Sequence, residues 1–377
     1  MGEINRAGAE TASDTGTSPA GVLRFAGAFC AWIIGSGFAT GQEILQFVTS
    51  YGMMSFPSMA VLAAGFALMG FTITLTGYRF RQKEGFRHFS YFCGDKLGAV
   101  YNWSVPVIQI VPLSILLSGG GATLHEYYGL NHTLGVLIMA LAVLVTFYAG
   151  FDRLVSVVGM VGPVIIVFTL LVGCVTLVRD MGKFPEIPGF QGCLIPKQPS
   201  SSWLWSSVLY ISMNFFCGSV FYTELGQSAR SRKEVIWGTG AGVAALIVAI
   251  AIISTAMLLN GPATALRDIP TLYLAKRVAE PVGALFSVIL VLGIFSSACT
   301  GFYVVVSLLS KNIRPIREHQ KAAAFLVIAI AFTIGVFSFG NLISIFYPIN
   351  GFLGIMFALA VARRCIIYII SRNKARA

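Results

Sequence analysis

The sequence predicts an all-α polytopic membrane protein of ten transmembrane helices, laid out as a five-plus-five inverted repeat whose first and sixth helices are broken. Three observations carry that prediction: the composition, the spacing of the apolar runs, and the one-sided distribution of the basic residues. Of 377 residues, 56% are hydrophobic and 11% charged, with a mean hydropathy of +0.80. Soluble domains carry roughly a quarter charged residues, so there are too few charges here to wrap a water-facing surface. The solvent is lipid.

Residues 1–20 are small and polar, with Glu3, Glu10 and Asp14, and read as a disordered cytoplasmic tail. They form no signal peptide, because the apolar run that opens at Gly21 continues to about Thr49, longer than the roughly 7–15 residues of a cleaved signal. Apolar stretches of spanning length follow at 22–49, 56–78, 98–127, 133–151, 153–178, 203–226, 234–260, 281–310, 321–341 and 342–371. The last two nearly abut at Asn341 and Leu342, which leaves a nine-span parse open. Residues 21–179 form the first five-helix repeat and 203–371 the second. An extracytoplasmic linker with four prolines spans 180–202, and a basic cytoplasmic tail spans 372–377.

The net charge of +11 would suit a nucleic-acid binder if the basic residues formed a face. They lie instead between the spans. With the N-terminus inside, 20 of the 26 lysines and arginines fall in cytoplasmic segments, the asymmetry that orients helices in a bilayer. The charge is a topology signal: both termini cytoplasmic, in a multi-pass protein of the plasma (inner) membrane with no nucleic-acid partner. Tyr127, Tyr128, Trp203, Trp205 and Trp237 sit near span ends as an aromatic belt. Seven scattered cysteines and four histidines at loops or helix ends show no disulfide or metal-ligand spacing.

Halves with an odd number of spans insert with opposite topology, as in many transporter folds. The first span of each half carries a related string: Gly35, Ser36, Phe38 and Thr40 match Gly218, Ser219, Phe221 and Thr223 at an offset of 183, and Pro163 matches Pro348 at 185. The run Gly35-Ser36-Gly37-Phe38-Ala39-Thr40-Gly41 places three glycines in mid-membrane, where they weaken a helix. Thr40-Gly41-Gln42-Glu43 then has the form of a capping box, a helix start. One helix therefore ends near Gly35 and restarts near Thr40. Asn214, Cys217, Gly218 and Ser219 give a weaker interruption in the sixth span. Both strings also fit the small-residue seams by which membrane helices pack.

Broken backbone is tolerated in a bilayer only where it lines a cavity within the protein. Freed N–H groups favour a carboxylate and freed carbonyls a cation or ammonium, so two facing breaks suit a zwitterion. On the eighth span Ser296, Ser297 and Thr300 lie within a turn, hard oxygen ligands for a small cation, or hydroxyls bonded back to their own helix. Glu43 is the capping partner of Thr40, with proton coupling as the alternative. Glu126 and Glu224 read as interfacial.

The stretch AWIIGSGFATGQEILQF (31–47) strongly resembles the opening helix of the YkvI-type membrane proteins, a family of amino acid permeases, and through it the chain resembles the amino acid–polyamine–organocation superfamily with its LeuT-like fold. The resemblance runs from about Gly21 to the end and recurs in PTLYLAKRV (270–278). It implies substrate contacts at Gly35, Ser36, Gly37, Phe38 and Thr40 and at Asn214, Gly218 and Ser219. It also implies a sodium site from carbonyls near Ala31 and Ile34 with Ser296, Ser297 and Thr300. The expected activity is secondary transport by alternating access: uptake of an amino acid or similar zwitterion coupled to Na⁺, or alternatively H⁺, with no resident cofactor and no enzymatic chemistry. The rivals are a passive channel or facilitator and a non-transporting sensor or scaffold. The sequence names neither the substrate nor an oligomeric state.

Overall fold

A computed structural model describes residues 18–34, 36–82, 86–149, 161–312 and 317–374. Most of the expected N-terminal tail, Gly35, the first residues of the fifth span and the last three of the basic tail lie outside them. The first crossing comes in three pieces, α1 (Pro19–Ile33), α2 (Ser36–Thr40) and α3 (Gln42–Phe47), followed by a 3-10 segment and α4 (Ser55–Arg79). A short helix α5 (His88–Cys93) precedes a third crossing made of α6 (Asp95–Ile108) and α7 (Ile110–Tyr128), then α8 (His132–Ala149) and α9 (Val161–Asp180). The second half runs α10 (Trp203–Ser228), α11 (Arg232–Leu258), α12 (Pro270–Val278), α13 (Glu280–Asn312), α14 (Gln320–Gly335) and α15 (Phe339–Lys374). Among the described residues, seven helices are long and apolar enough to cross a membrane, and the shorter apolar α1 and α14 and the divided third crossing complete ten. The chain is an integral multi-pass membrane protein, and α14 and α15 are separate helices, which removes the nine-span parse.

Local signals set the ends. Ser18 precedes Pro19 and accepts the Gly21 N–H at 3.0 Å, the expected N-cap with proline in the first turn. Ser231 caps α11 at Glu234 N–H (3.1 Å), and the Glu234 carboxylate returns to the Arg230 N–H at 2.9 Å. Gly129, at φ +70°, closes α7 by donating to the His125 carbonyl at 3.0 Å, a left-handed cap that favours glycine.

The helices pack as two groups. α1 lies on α11, and α10 lies between α4 and α15; α7 is the hub for α8, α13 and α14. Separate apolar cores fill the groups, one around Phe29, Phe66, Phe215 and Ile250, the other around Leu117, Met139, Phe302 and Ile328. First helix with seventh, and sixth with second, is the exchange an inverted repeat requires. The α4–α10 crossing is nearly self-symmetric. A Cβ on Gly77 would run into the Thr223 carbonyl, and one on Gly226 into the Thr74 carbonyl, so Thr74-x-x-Gly77 faces Thr223-x-x-Gly226 backbone to backbone. Small residues spaced this way let membrane helices approach to Cα–H···O distance.

The expected break in the sixth helix is absent. α10 runs unbroken from Trp203 to Ser228. The Ser219 hydroxyl donates to the Phe216 carbonyl (2.9 Å) and that of Thr223 to the Ser219 carbonyl (2.7 Å), while Gly218 admits the Trp32 indole, which a Cβ would strike. The glycine–serine string is a packing seam. Two other features escape the apolar pattern. The third crossing is divided at Gln109, and the 180–202 linker is folded rather than loose. Its 3-10 segment Met181–Phe190, with Pro185 and Pro188, and two further short turns lie over the end of the first crossing. There Gln198 donates to the Ser50 carbonyl at 2.9 Å and Tyr51 to the Ser200 carbonyl at 2.7 Å. At the same end Asp180 binds Lys183 (3.0 Å) and Arg277 (3.2 Å), tying α9 to α12.

Candidate functional site

The first-helix break is built from backbone that glycine permits and hydroxyls repair. α1 ends at Ile34 (φ −80°, ψ 61°), whose N–H still reaches the Cys30 carbonyl at 2.7 Å. α2 makes little more than one turn before Gly41, at φ +81°, a left-handed position that costs other L-residues about 1–2 kcal/mol. A Cβ there would also stand 2.8 Å from Thr271 Cγ2. Thr271, on α12, donates its hydroxyl to the Ala39 carbonyl at 2.6 Å, and Thr40 donates to the Gly37 carbonyl at 2.6 Å. Buried carbonyls freed by the break thus find partners, as a low-dielectric interior demands.

The expected capping box does not form. Gly41, not Thr40, is the residue before α3, with no side-chain cap, and the Glu43 carboxylate turns away from Thr40. Its Oε1 accepts from the Tyr347 hydroxyl at 2.9 Å and its Oε2 from the Tyr210 hydroxyl at 3.4 Å, one from α15 and one from α10. Glu43 is 6% exposed, and a Cβ on Gly37 would overlap its Oε1. The carboxylate therefore lies directly against the backbone of the break. The other side chains of α3 are buried too. Gln46 donates to the Gly340 carbonyl at 2.9 Å, while neither amide atom of Gln42 has a partner among the described residues.

A cavity opens beside this break. Gly37 and Thr40 from α2, Ile115, Leu116 and Gly119 from α7, Ile294 from α13 and Phe339 and Tyr347 from α15 line it. Its walls are mostly apolar; Thr40 and Tyr347 bring hydroxyls, the first donating to the Gly37 carbonyl and the second to Glu43. Its free volume of about 10 Å³ is far below the roughly 300–1,000 Å³ of a small-molecule site, so a solute enters only when the walls part.

Of the residues expected to contact substrate, Gly37 and Thr40 line this cavity. Gly35 is outside the described residues, and so is the side chain of Ser36, which opens α2. Phe38 is 1% exposed and belongs to the apolar core. With α10 unbroken, Asn214 bonds its own helix through the Tyr210 carbonyl (2.9 Å), and its own carbonyl accepts from the Trp32 indole (3.3 Å). Gly218 packs under Trp32, and Ser219 is buried beside His88 of α5 at 3.3 Å, where burial pushes the imidazole down to about 4. In the structure these three residues make contacts within and between helices.

Of the expected cation ligands, Thr300 is exposed and donates to the Ser296 carbonyl at 3.1 Å, the back-bonded arrangement, so it leaves the set. Ala31 is exposed and Ile34 buried at the end of α1, which packs on α11 and α10, whereas α13 with half-buried Ser296 and Ser297 meets α2. No group of three His, Cys, Asp or Glu residues that could hold a metal occurs among the described residues.

Sequence reasoning assigned no site role to Tyr210, Tyr347, Phe339, Ile115, Leu116, Ile294 or Gly119. Tyr347, next to Pro348 and inside the tenth span, was the one legible signal: a hydroxyl within the membrane needs a partner.

No family model matches the chain. It is 24% identical over 327 residues, 86% of its length and 90% of the relative's, to the uncharacterized membrane protein YkvI of Bacillus subtilis (strain 168). Its fold is similar to that of MhsT solved in complex with L-phenylalanine, with a TM-score of 0.56, 16% identity, and 94% and 97% of the two chains covered. It is also similar to a manganese transporter of Eremococcus coleocola, solved as a variant, with a TM-score of 0.51, 14% identity, and 91% and 78% covered. These likenesses establish the fold as LeuT-like.

Proposed function

We propose that the chain is a secondary active transporter that takes up an amino acid or similar zwitterion by alternating access, coupled to a monovalent cation. The observation that carries this reading is the small cavity beside the first-helix break, lined by Gly37 and Thr40 of α2 with residues of α7, α13 and α15. Fold likeness to MhsT, solved with L-phenylalanine, supports the substrate class as analogy only.

In this reading the polar ends of the solute meet the backbone near Gly37 and the hydroxyls of Thr40 and Tyr347, while Ile115, Leu116, Ile294 and Phe339 receive an apolar side chain. Every wall except α2 comes from the α7 hub, its partner α13, or α15. Rocking of the α1–α4–α10–α11 group against the α7 group then opens the cavity to one side and closes it to the other. Each moving group takes helices from both halves, 21–179 and 203–371, in an inner membrane with both termini cytoplasmic.

A thermal-shift panel on the purified protein in detergent tests the substrate class. L-amino acids should raise the unfolding temperature, since a ligand at 100 times its Kd adds about 2.7 kcal/mol to the folded state. Simple amines and simple carboxylates, which carry one of the two charges, should raise it much less. Equal stabilisation by divalent metal salts, with none by amino acids, would overturn the zwitterion reading.

A further inference from the structure

Glu43 poses a charge problem that no other side chain around it solves. Its carboxylate is buried in the first crossing, and among the described residues its only donors are the hydroxyls of Tyr347 and Tyr210. Among the described residues, none of the ion pairs includes it. The titratable groups that face it are those two tyrosines, from α15 and α10, with Cys217 beyond Tyr347; α3 itself adds the neutral Gln42 and Gln46. An ionised carboxylate held this way in a low-dielectric interior is costly and is relieved by a proton or a bound cation. A hard metal cation needs several oxygen acceptors. Beside this carboxylate are two tyrosine hydroxyls that donate to it, and no group of three acidic, His or Cys residues gathers there among the described residues. A proton needs only the carboxylate.

We propose that Glu43 is the coupling residue and that the cotransported ion is H⁺. The step is a simple protonation: a proton from the outer solution adds to a carboxylate oxygen in the outward-facing state and is lost to the cytoplasmic side in the inward-facing state. No other bond changes. The new O–H becomes a donor, so the hydrogen bond with Tyr347 must reorganise, and the charge against the Gly37 backbone disappears. Gly37 and Tyr347 line the cavity, whereas Glu43 does not. The proton thus changes two walls of the substrate cavity without occupying it, and because it enters and leaves on the same sides as the solute the coupling is symport. This inference rests on the transporter reading.

Two measurements test it, one of which needs no substrate. Infrared difference spectra of the purified protein between acid and alkaline pH should show a D2O-sensitive carboxylic C=O band that titrates in the wild type and is missing in Glu43→Gln. Superimposable difference spectra of the two proteins would overturn the proposal. In proteoliposomes given a mixture of radiolabelled L-amino acids, wild-type accumulation should follow an imposed inward proton gradient at uniform Na⁺. In Glu43→Gln the ratio of gradient-driven accumulation to solute exchange should fall by about tenfold or more; Glu43→Asp, which keeps an acid, should recover part of it. Size-exclusion and thermal unfolding profiles confirm that both variants are folded. Proton-driven accumulation that survives in Glu43→Gln overturns the proposal. So does wild-type accumulation that follows a Na⁺ gradient at uniform pH and is lost in the Ser296→Ala, Ser297→Ala double variant. If no labelled amino acid moves in any protein, the transporter reading fails, and the infrared titration still decides whether Glu43 exchanges a proton.

Discussion

Gly37→Leu abolishes both amino acid binding and uptake while leaving the protein folded in detergent. Residue 37 contributes its backbone to the cavity, and the space where its side chain would begin is taken by Glu43 Oε1. A leucine must therefore push the carboxylate off its two tyrosine donors or project into the cavity and fill it. Either outcome removes the site. Overpacking of this kind costs about 1–3 kcal/mol, which a ten-helix protein can absorb, so the loss of function should exceed the loss of stability. The thermal-shift panel should fall flat, and uptake should drop to the level of empty liposomes. Normal affinity in this variant would show that the first-helix break is a packing seam and that the solute binds elsewhere.

The largest effect on stability is expected at the α4–α10 crossing. A Cβ on Gly226 meets the Thr74 carbonyl, and one on Gly77 meets the Thr223 carbonyl. Because the obstruction is backbone, no side chain can swing aside, and the two helices must separate. Gly226→Val should cost about 3 kcal/mol or more, at the upper end for overpacking, and should appear as early thermal unfolding and loss of monodispersity. Gly240→Ala is the control. It lies on α11, and its Cβ would meet only Phe71 Cζ at an ordinary 3.6 Å, so it should be neutral or slightly stabilising through helix propensity. Equal behaviour of the two variants would mean that the crossing is looser than the structure has it.

Composition and charge placement made the ten helices legible, because a bilayer leaves the chain few alternatives to apolar helices of spanning length. The first break was legible for a similar reason: three glycines in seven residues cannot sustain a helix without help. The same glycine-and-serine vocabulary misled in α10, since a glycine that weakens a helix and a glycine that admits a neighbour look identical in sequence. Gly218 is the second kind, and its neighbour Trp32 lies 186 positions away in the chain. Glu43 shows the same limit. Its local pattern with Thr40 suggests a capping box, but its partners are 167 and 304 residues distant, beyond the reach of any local motif. Thr300 had two readings, and the back-bonded one prevailed on an exposed face. What remained hidden was consistently the set of long-range partners that tertiary packing selects.

Concentrative uptake tests the central claim most directly. With the protein reconstituted in proteoliposomes and an inward cation gradient imposed, a labelled amino acid identified by the thermal-shift panel should rise inside above its external concentration, then fall back when an ionophore dissipates the gradient. Flux that only equalises the two concentrations would make the protein a passive facilitator. Binding without any flux would make it a sensor, and either result would contradict the account.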